Sequence, residues 1–126
     1  MMMGLAPMLS LSLRWSPDGR VLASGGMDGR VLLWDPVAGE RLRTLLGPDR
    51  NREVFSLAWS PDGGYLLVGF SGVVRIYDLA SGEESDRLEG HQGVIFTLEV
   101  APDGQRIITG GSDGTIRVWA PRPVDR

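Results

Sequence analysis

The sequence holds no cysteine and no lysine, a single histidine, and no apolar run of 18 residues or more within its 126 positions. Without cysteine there is neither a disulfide nor a thiolate metal ligand, which fits a reducing compartment, and a cytoplasmic location is expected. Without a long apolar run, no segment reads as a membrane-spanning helix. Met1 to Leu13 is mildly apolar, but no basic residue precedes the apolar stretch and no convincing small-residue cleavage site follows. It reads as a ragged entry to the first structural unit and not as a leader peptide. All thirteen basic residues are arginine, and the net charge is −3. The densest basic group, Arg41, Arg43, Arg50 and Arg52, is interleaved with Glu40, Asp49 and Glu53. That mixture reads as a solvated outer strand in preference to a nucleic-acid patch.

What the chain has in quantity is turn residues: 18 glycines and 8 prolines beside a 42% hydrophobic content that suffices for a packed core. They recur in order. Ser16-Pro17-Asp18-Gly19 returns as Ser60-Pro61-Asp62-Gly63 and as Ala101-Pro102-Asp103-Gly104, at steps of 44 and 41 residues. A second turn signal follows each: Asp28-Gly29, Ser71-Gly72 and Asp113-Gly114. Six residues after Asp28, Ser71 and Asp113 stands an aromatic: Trp34, Tyr77 and Trp119. A period of this length marks stacked supersecondary units, none of which buries its faces alone.

Each unit reads as a meander of short strands. In the third, Val94 to Val100, Gln105 to Gly110 and Thr115 to Trp119 are β-branched and aromatic runs separated by tight turns, after which Pro121 and Pro123 block further pairing. The first unit adds a fourth run, Arg41 to Leu46, and the second adds Glu84 to Leu88. Val31-Leu32-Leu33-Trp34 lacks polar alternation, so both faces of that strand are expected to be covered. The fourth strands are more polar. A sheet covered near one edge and wet at the other suits radial stacking of one sheet against the next.

Gly90-His91, the Pro-Asp-Gly turns, Ser112-Asp113-Gly114 and the dipeptide Trp34-Asp35 together resemble WD40 repeats, the blades of one class of β-propeller, over roughly residues 9–120. The expected architecture is all-β, with three four-stranded antiparallel repeats, the last lacking its outer strand. Residues 1–8 form an irregular lead, 9–52, 53–93 and 94–120 the three blades, and 121–126 a tail. The resemblance implies a buried hydrogen-bonded tetrad of His, Ser or Thr, Asp and Trp. The third copy matches at every position with His91, Thr109, Asp113 and Trp119. The first keeps Ser24, Asp28 and Trp34 but has Ala6 for His. The second has Asn51 for His, Ser71 for Asp and Tyr77 for Trp, with a turn one residue shorter. Imidazole can bridge a carboxylate and a hydroxyl, so such polar groups leave water with partners.

The same His, Thr and Asp also mimic a hydrolase triad. Thr109 lies in a strand expected to be buried, without the exposed nucleophile, cleft and oxyanion hole that acyl transfer needs, so the structural role is preferred. The acidic cluster Glu83, Glu84, Asp86 and Glu89 lacks metal-loop spacing. Gly25-Gly26 and Gly110-Gly111 form neither GxGxxG nor a P-loop. No cofactor and no metal are expected. The resemblance implies a non-enzymatic scaffold for other proteins, a fragment of or subunit within a larger propeller. Self-association or further blades would complete the ring, without nucleic acid or membrane. The partner face carried over from the family comprises Leu9, Leu11 and Met27, then Glu53, Phe55 and Phe70, then Val94, Phe96 and Ser112. A hydrolase on His91, Thr109 and Asp113, or a remnant without a partner, are the competing readings.

Overall fold

A computed structural model of the chain describes residues 11–49 and 51–120. Every regular element among them is a strand. β1 (Leu11–Trp15), β2 (Leu22–Gly26), β3 (Val31–Asp35) and β4 (Glu40–Leu46) form one antiparallel meander. β5 (Ser56–Trp59), β6 (Tyr65–Gly69), β7 (Ser71–Asp78), β8 (Glu83–Val100), β9 (Ile107–Gly111) and β10 (Ile116–Trp119) follow, each beside the next.

The turn residues set these boundaries. Gly19, Gly63 and Gly104 have φ of 73°, 77° and 72°, a left-handed conformation that costs glycine little and any side chain more. In the first two Pro-Asp-Gly turns the serine hydroxyl closes the loop. Ser16 Oγ donates to Asp18 Oδ1 at 2.7 Å and accepts Val21 N–H at 3.1 Å. Ser60 repeats this with Asp62 and Tyr65. Such local bonds offer the backbone a defined turn in place of continued strand.

One boundary differs from the expectation. Glu84 to Leu88 and Val94 to Val100 read as separate strands, yet β8 runs through both as one strand of 18 residues. Its first part pairs with β7 (Val74 opposite Leu88, Asp78 opposite Glu83), and its last with β9 (Leu98 opposite Thr109). The intervening Gly90-His91-Gln92-Gly93 looks like a loop in sequence. The chain stays extended there because it passes directly from the outer edge of the second blade to the inner edge of the third. β9 and β10 are correspondingly shorter at their starts than the runs Gln105–Gly110 and Thr115–Trp119.

The core lies between sheets. Ala23, Val31 and Leu33 of the first blade meet Val54, Leu57, Trp59, Leu66, Val68 and Tyr77 of the second. Leu67, Val74 and Ile76 on the opposite face of the second blade meet Ile95, Leu98 and Ile107 of the third. Covering a side chain of this size contributes about 1.5–3 kcal/mol. Because β3 and β6 bury both faces, no alternation shows in their sequences. β4 is largely exposed. At the far end of the stack Ile108, Ile116 and Val118 are exposed. At the near end Leu13 and Trp15 are exposed, whereas Leu22, Leu32 and Trp34 of the first blade are buried.

Candidate partner face and polar network

The third blade assembles its polar residues into a directed chain. Trp119 Nε1–H donates to Thr109 Oγ1 at 2.9 Å, and Thr109 Oγ1 lies 2.6 Å from His91 Nε2. On the other side of the ring, His91 Nδ1 is 3.1 Å and 3.2 Å from the two Asp113 oxygens. An ionised carboxylate only accepts, so Nδ1 carries the hydrogen and Nε2 receives the Thr109 O–H. The imidazole thereby has a partner on both nitrogens, and the Thr109 hydroxyl both donates and accepts. Asp113 also accepts Gln92 N–H at 2.9 Å and Thr115 O–H at 2.7 Å. The Gln92 amide above all, then the Thr115 hydroxyl, hold the Asp113 carboxyl well below the usual carboxylate range, against the opposing effect of burial.

The geometry bears on the two uses of a Thr–His–Asp row. Thr109 is 0% exposed, and its hydroxyl oxygen already accepts the indole N–H. A nucleophile needs an approach path for its electrophile, and Thr109 has none.

The first blade keeps one link of the set: Trp34 Nε1–H donates to Ser24 Oγ at 2.9 Å. Asp28 is not joined to them. It accepts Arg30 N–H at 3.1 Å and pairs with the Arg30 guanidinium at 3.3 Å. The physical reason is that the chain has no second imidazole to span carboxylate and hydroxyl, and Ala6 lies outside the described residues. In the second blade Val68 stands at the register position of Ser24 and Thr109, since Leu66 opposes Tyr77 as Leu22 opposes Trp34. No polar chain can form there. Burial pushes the Tyr77 phenol above its ordinary range, and Asn51 turns its N–H to Asp49.

Where β5 begins and β6 ends, a cavity of about 810 Å³ opens. Glu53, Phe55, Phe70 and Val94, all expected on the partner face, line it together with Asn51, Ser71, Arg52 and Arg75. Phe70 is nevertheless 4% exposed, a core residue with the Arg75 guanidinium 5.8 Å from its ring centre. Phe55 is half-buried. Phe96 is 59% exposed and meets Phe55 edge to face, with centroids 6.0 Å apart. Ser112 is exposed and accepts Val94 N–H at 2.9 Å. Met27 is half-buried. Leu9 lies outside the described residues. Leu11 lies on β1, and its side chain is outside the description.

Sequence reading missed the residue that ties the inner strands. Arg14 of β1 donates to Leu57 O of β5 at 2.9 Å and to Leu98 O of β8 at 3.4 Å, and pairs with Glu99 at 3.3 Å. These groups, with Phe55 and Phe96, border a cavity of about 250 Å³ between the inner strands. A signal existed: Arg14 and Glu99 each precede by one the last residue of an inner strand, with opposite charges at equivalent places.

The family profile described as WD domain, G-beta repeat, matches residues 9–35, 39–78 and 82–120. Coronin-7 of Rattus norvegicus is 36% identical over 120 residues, covering 89% of this chain and 13% of that protein. The small ribosomal subunit protein RACK1 of Drosophila melanogaster is 35% identical over 113 residues, covering 82% and 35%. Among solved structures, the RRP9 WD40 repeats superpose with a TM-score of 0.79 at 22% identity, covering 92% of this chain and 37% of that one. The chain thus spans about a third or less of the relatives it matches.

Proposed function

The chain belongs to the WD40 repeat family, and from that premise we propose that it is a non-enzymatic platform for other proteins, working as part of a larger ring. One observation carries the reading: Phe55 lines both cavities, and its edge contact with the exposed Phe96 sets two aromatic rings side by side at the inner strands. Aromatic side chains and arginine are enriched at the centre of protein interfaces, and Arg52 lines the larger cavity with Phe55. The partner face is proposed to comprise Glu53, Phe55, Val94, Phe96 and Ser112, with Met27 at its rim and Phe70 as its floor. His91, Thr109, Asp113 and Trp119 serve as structure within the third blade, as Ser24 and Trp34 do within the first.

A hydrolase role for the Thr–His–Asp row is disfavoured by the inaccessible Thr109 hydroxyl. Among the described residues no helix is long and apolar enough to cross a membrane, and a cytoplasmic setting is part of the proposal. The test is capture of binding proteins by the native chain, by Phe96→Asp and by Leu42→Asp. Leu42 is 56% exposed on the outer strand β4. The expected result is a partner lost at least tenfold with Phe96→Asp and retained with Leu42→Asp. Identical profiles for all three chains would sink the platform and leave the remnant reading.

A further inference from the structure

The second blade builds its inner turn from different chemistry than the third. In the third, Asp113 closes the turn and faces His91 at 3.1 Å. Gly111 makes room for that pair: a Cβ there would meet His91 Nδ1 at 2.7 Å and Asp113 Oδ1 at 2.9 Å. Phe70 holds the same place in the second blade. It directly follows Gly69, which opposes Val74, as Gly111 follows Gly110, which opposes Ile116. The Phe70 ring is buried, and Ser71 comes next, where the other blades carry Asp28 and Asp113. The second blade therefore has a ring and a hydroxyl where the third has an imidazole and a carboxylate.

Hydrogen-bond donors gather at the cavity of about 810 Å³ beside this turn. Arg52 and Arg75 line it, and an acid of the chain steadies each guanidinium. Arg75 Nη1 donates to Glu84 at 3.0 Å, and Arg52 Nε pairs with Asp49 at 3.4 Å. The Arg75 guanidinium also lies 5.8 Å from the centre of the Phe70 ring. A guanidinium carries five N–H donors, so one such pair leaves much of its fork for a second acceptor. Ser71 and Asn51 line the same cavity, and both are exposed. Of the two acids in the lining, Asp49 is engaged with Arg52 and with Asn51 N–H, while Glu53 is half-buried.

We propose that this cavity takes the side-chain carboxylate of an acidic segment in a partner protein, with Arg52 and Arg75 as its charged donors and Ser71 and Asn51 as its neutral ones. The acid that the third blade supplies from its own turn comes, in the second, from the partner. Both guanidinium groups are positioned in advance, which lowers the ordering cost of binding. A basic segment fits less well, because the Phe70 ring that would receive a cation already has Arg75 against it. The inference rests on the platform reading and gives the partner a chemistry.

The test titrates the full chain into a fluorescently labelled hexaglutamate peptide, followed by anisotropy at physiological ionic strength, beside a hexalysine peptide. The chain has a net charge of −3, so diffuse attraction favours hexalysine, and a preference for hexaglutamate requires a local site. Hexaglutamate is expected to bind about tenfold or more tightly than hexalysine, and Arg75→Gln to remove about tenfold of its affinity, the worth of one charge-assisted bond. Arg52→Gln, at a partly exposed side chain, should also weaken it. Glu53→Gln should tighten it, since one like charge leaves the wall. If Arg75→Gln fails to fold, the opposite effects of the other two variants decide the matter. Equal binding of the two peptides, or hexaglutamate binding indifferent to Arg52→Gln and Glu53→Gln, overturns the proposal. Tighter binding of hexalysine that Glu53→Gln abolishes overturns it in favour of a basic segment. Displacement of hexaglutamate by inorganic phosphate about tenfold better than by acetate overturns it in favour of a phosphoryl group. Partner capture that depends on Phe96, without any preference for hexaglutamate, leaves the platform standing and removes this inference alone. Acid preference without a Phe96-dependent partner does the reverse.

Discussion

Asp113 shows how a single side chain can hold a turn and a blade together. It receives Gln92 N–H from one segment and Thr115 O–H from another while facing His91. Its carboxyl is depressed in the folded chain and ordinary, near 3.9, in the unfolded one. The stabilising contribution is therefore complete above about pH 4 and lost as the pH falls further. Asp113→Asn should flatten the acid limb of the stability–pH curve, read by urea midpoints between about pH 5 and 2. His91→Ala strands the Thr109 hydroxyl and removes two contacts at once. A loss of roughly 1–3 kcal/mol is expected from urea denaturation at neutral pH, the cost of an unsatisfied buried group. The identities of these residues were legible because each stands at a fixed offset from a turn. The diversion of Asp28 to Arg30 was not, because it depends on which group arrives from outside the turn to face the carboxylate.

At the scale of elements, the Pro-Asp-Gly turns differ in one atom that matters. Ser16 and Ser60 each use a hydroxyl to bridge the aspartate and the N–H five residues on. The third turn has Ala101 there: Asp103 still accepts Gln105 N–H at 2.9 Å, but alanine offers no hydroxyl to bridge onward. Ala101→Ser should supply the missing bridge to Asp103 and Arg106 N–H. A gain of about 0.5–1.5 kcal/mol is expected, the usual net worth of such bonds, visible as a higher denaturant midpoint. An unchanged or lower midpoint would mean that the alanine is preferred for packing. The strands between these turns were legible from β-branched runs and punctuation. The junction inside β8 was not. Two glycines and a histidine break the hydrophobic pattern there, while the pairing partners that keep the backbone extended, β7 and β9, are far apart in sequence.

At the scale of the molecule, the curl of the stack is fixed at its inner edge. Arg14 reaches carbonyls on both following inner strands, and Trp59 Nε1–H returns a bond to Arg14 O at 3.0 Å. Its ion pair with Glu99 is partly exposed, with side chains 38% and 60% accessible, and such pairs contribute at most about 1 kcal/mol. Bonds from a charged donor to carbonyls are worth more. Arg14→Met should therefore cost about 1–3 kcal/mol and Glu99→Gln under about 1, compared by urea denaturation. Equal losses would show that the ion pair carries the tie. The opposite charges of Arg14 and Glu99 at equivalent places were visible in the sequence, but the reach of Arg14 to carbonyls of two further strands was not, because it depends on how the blades stack. β8 serves two blades in different registers. A strand slipped by one residue turns its core-facing side chains to water. In the part of β8 paired with β7 that slip would expose Leu88, and in the part paired with β9 it would expose Leu98. The pairing is irregular between Glu89 and Val94, where five steps of β8 face two of β7. Slack of this kind lets each half settle against its own blade, so a misalignment in one repeat is penalised there without being handed on to its neighbour.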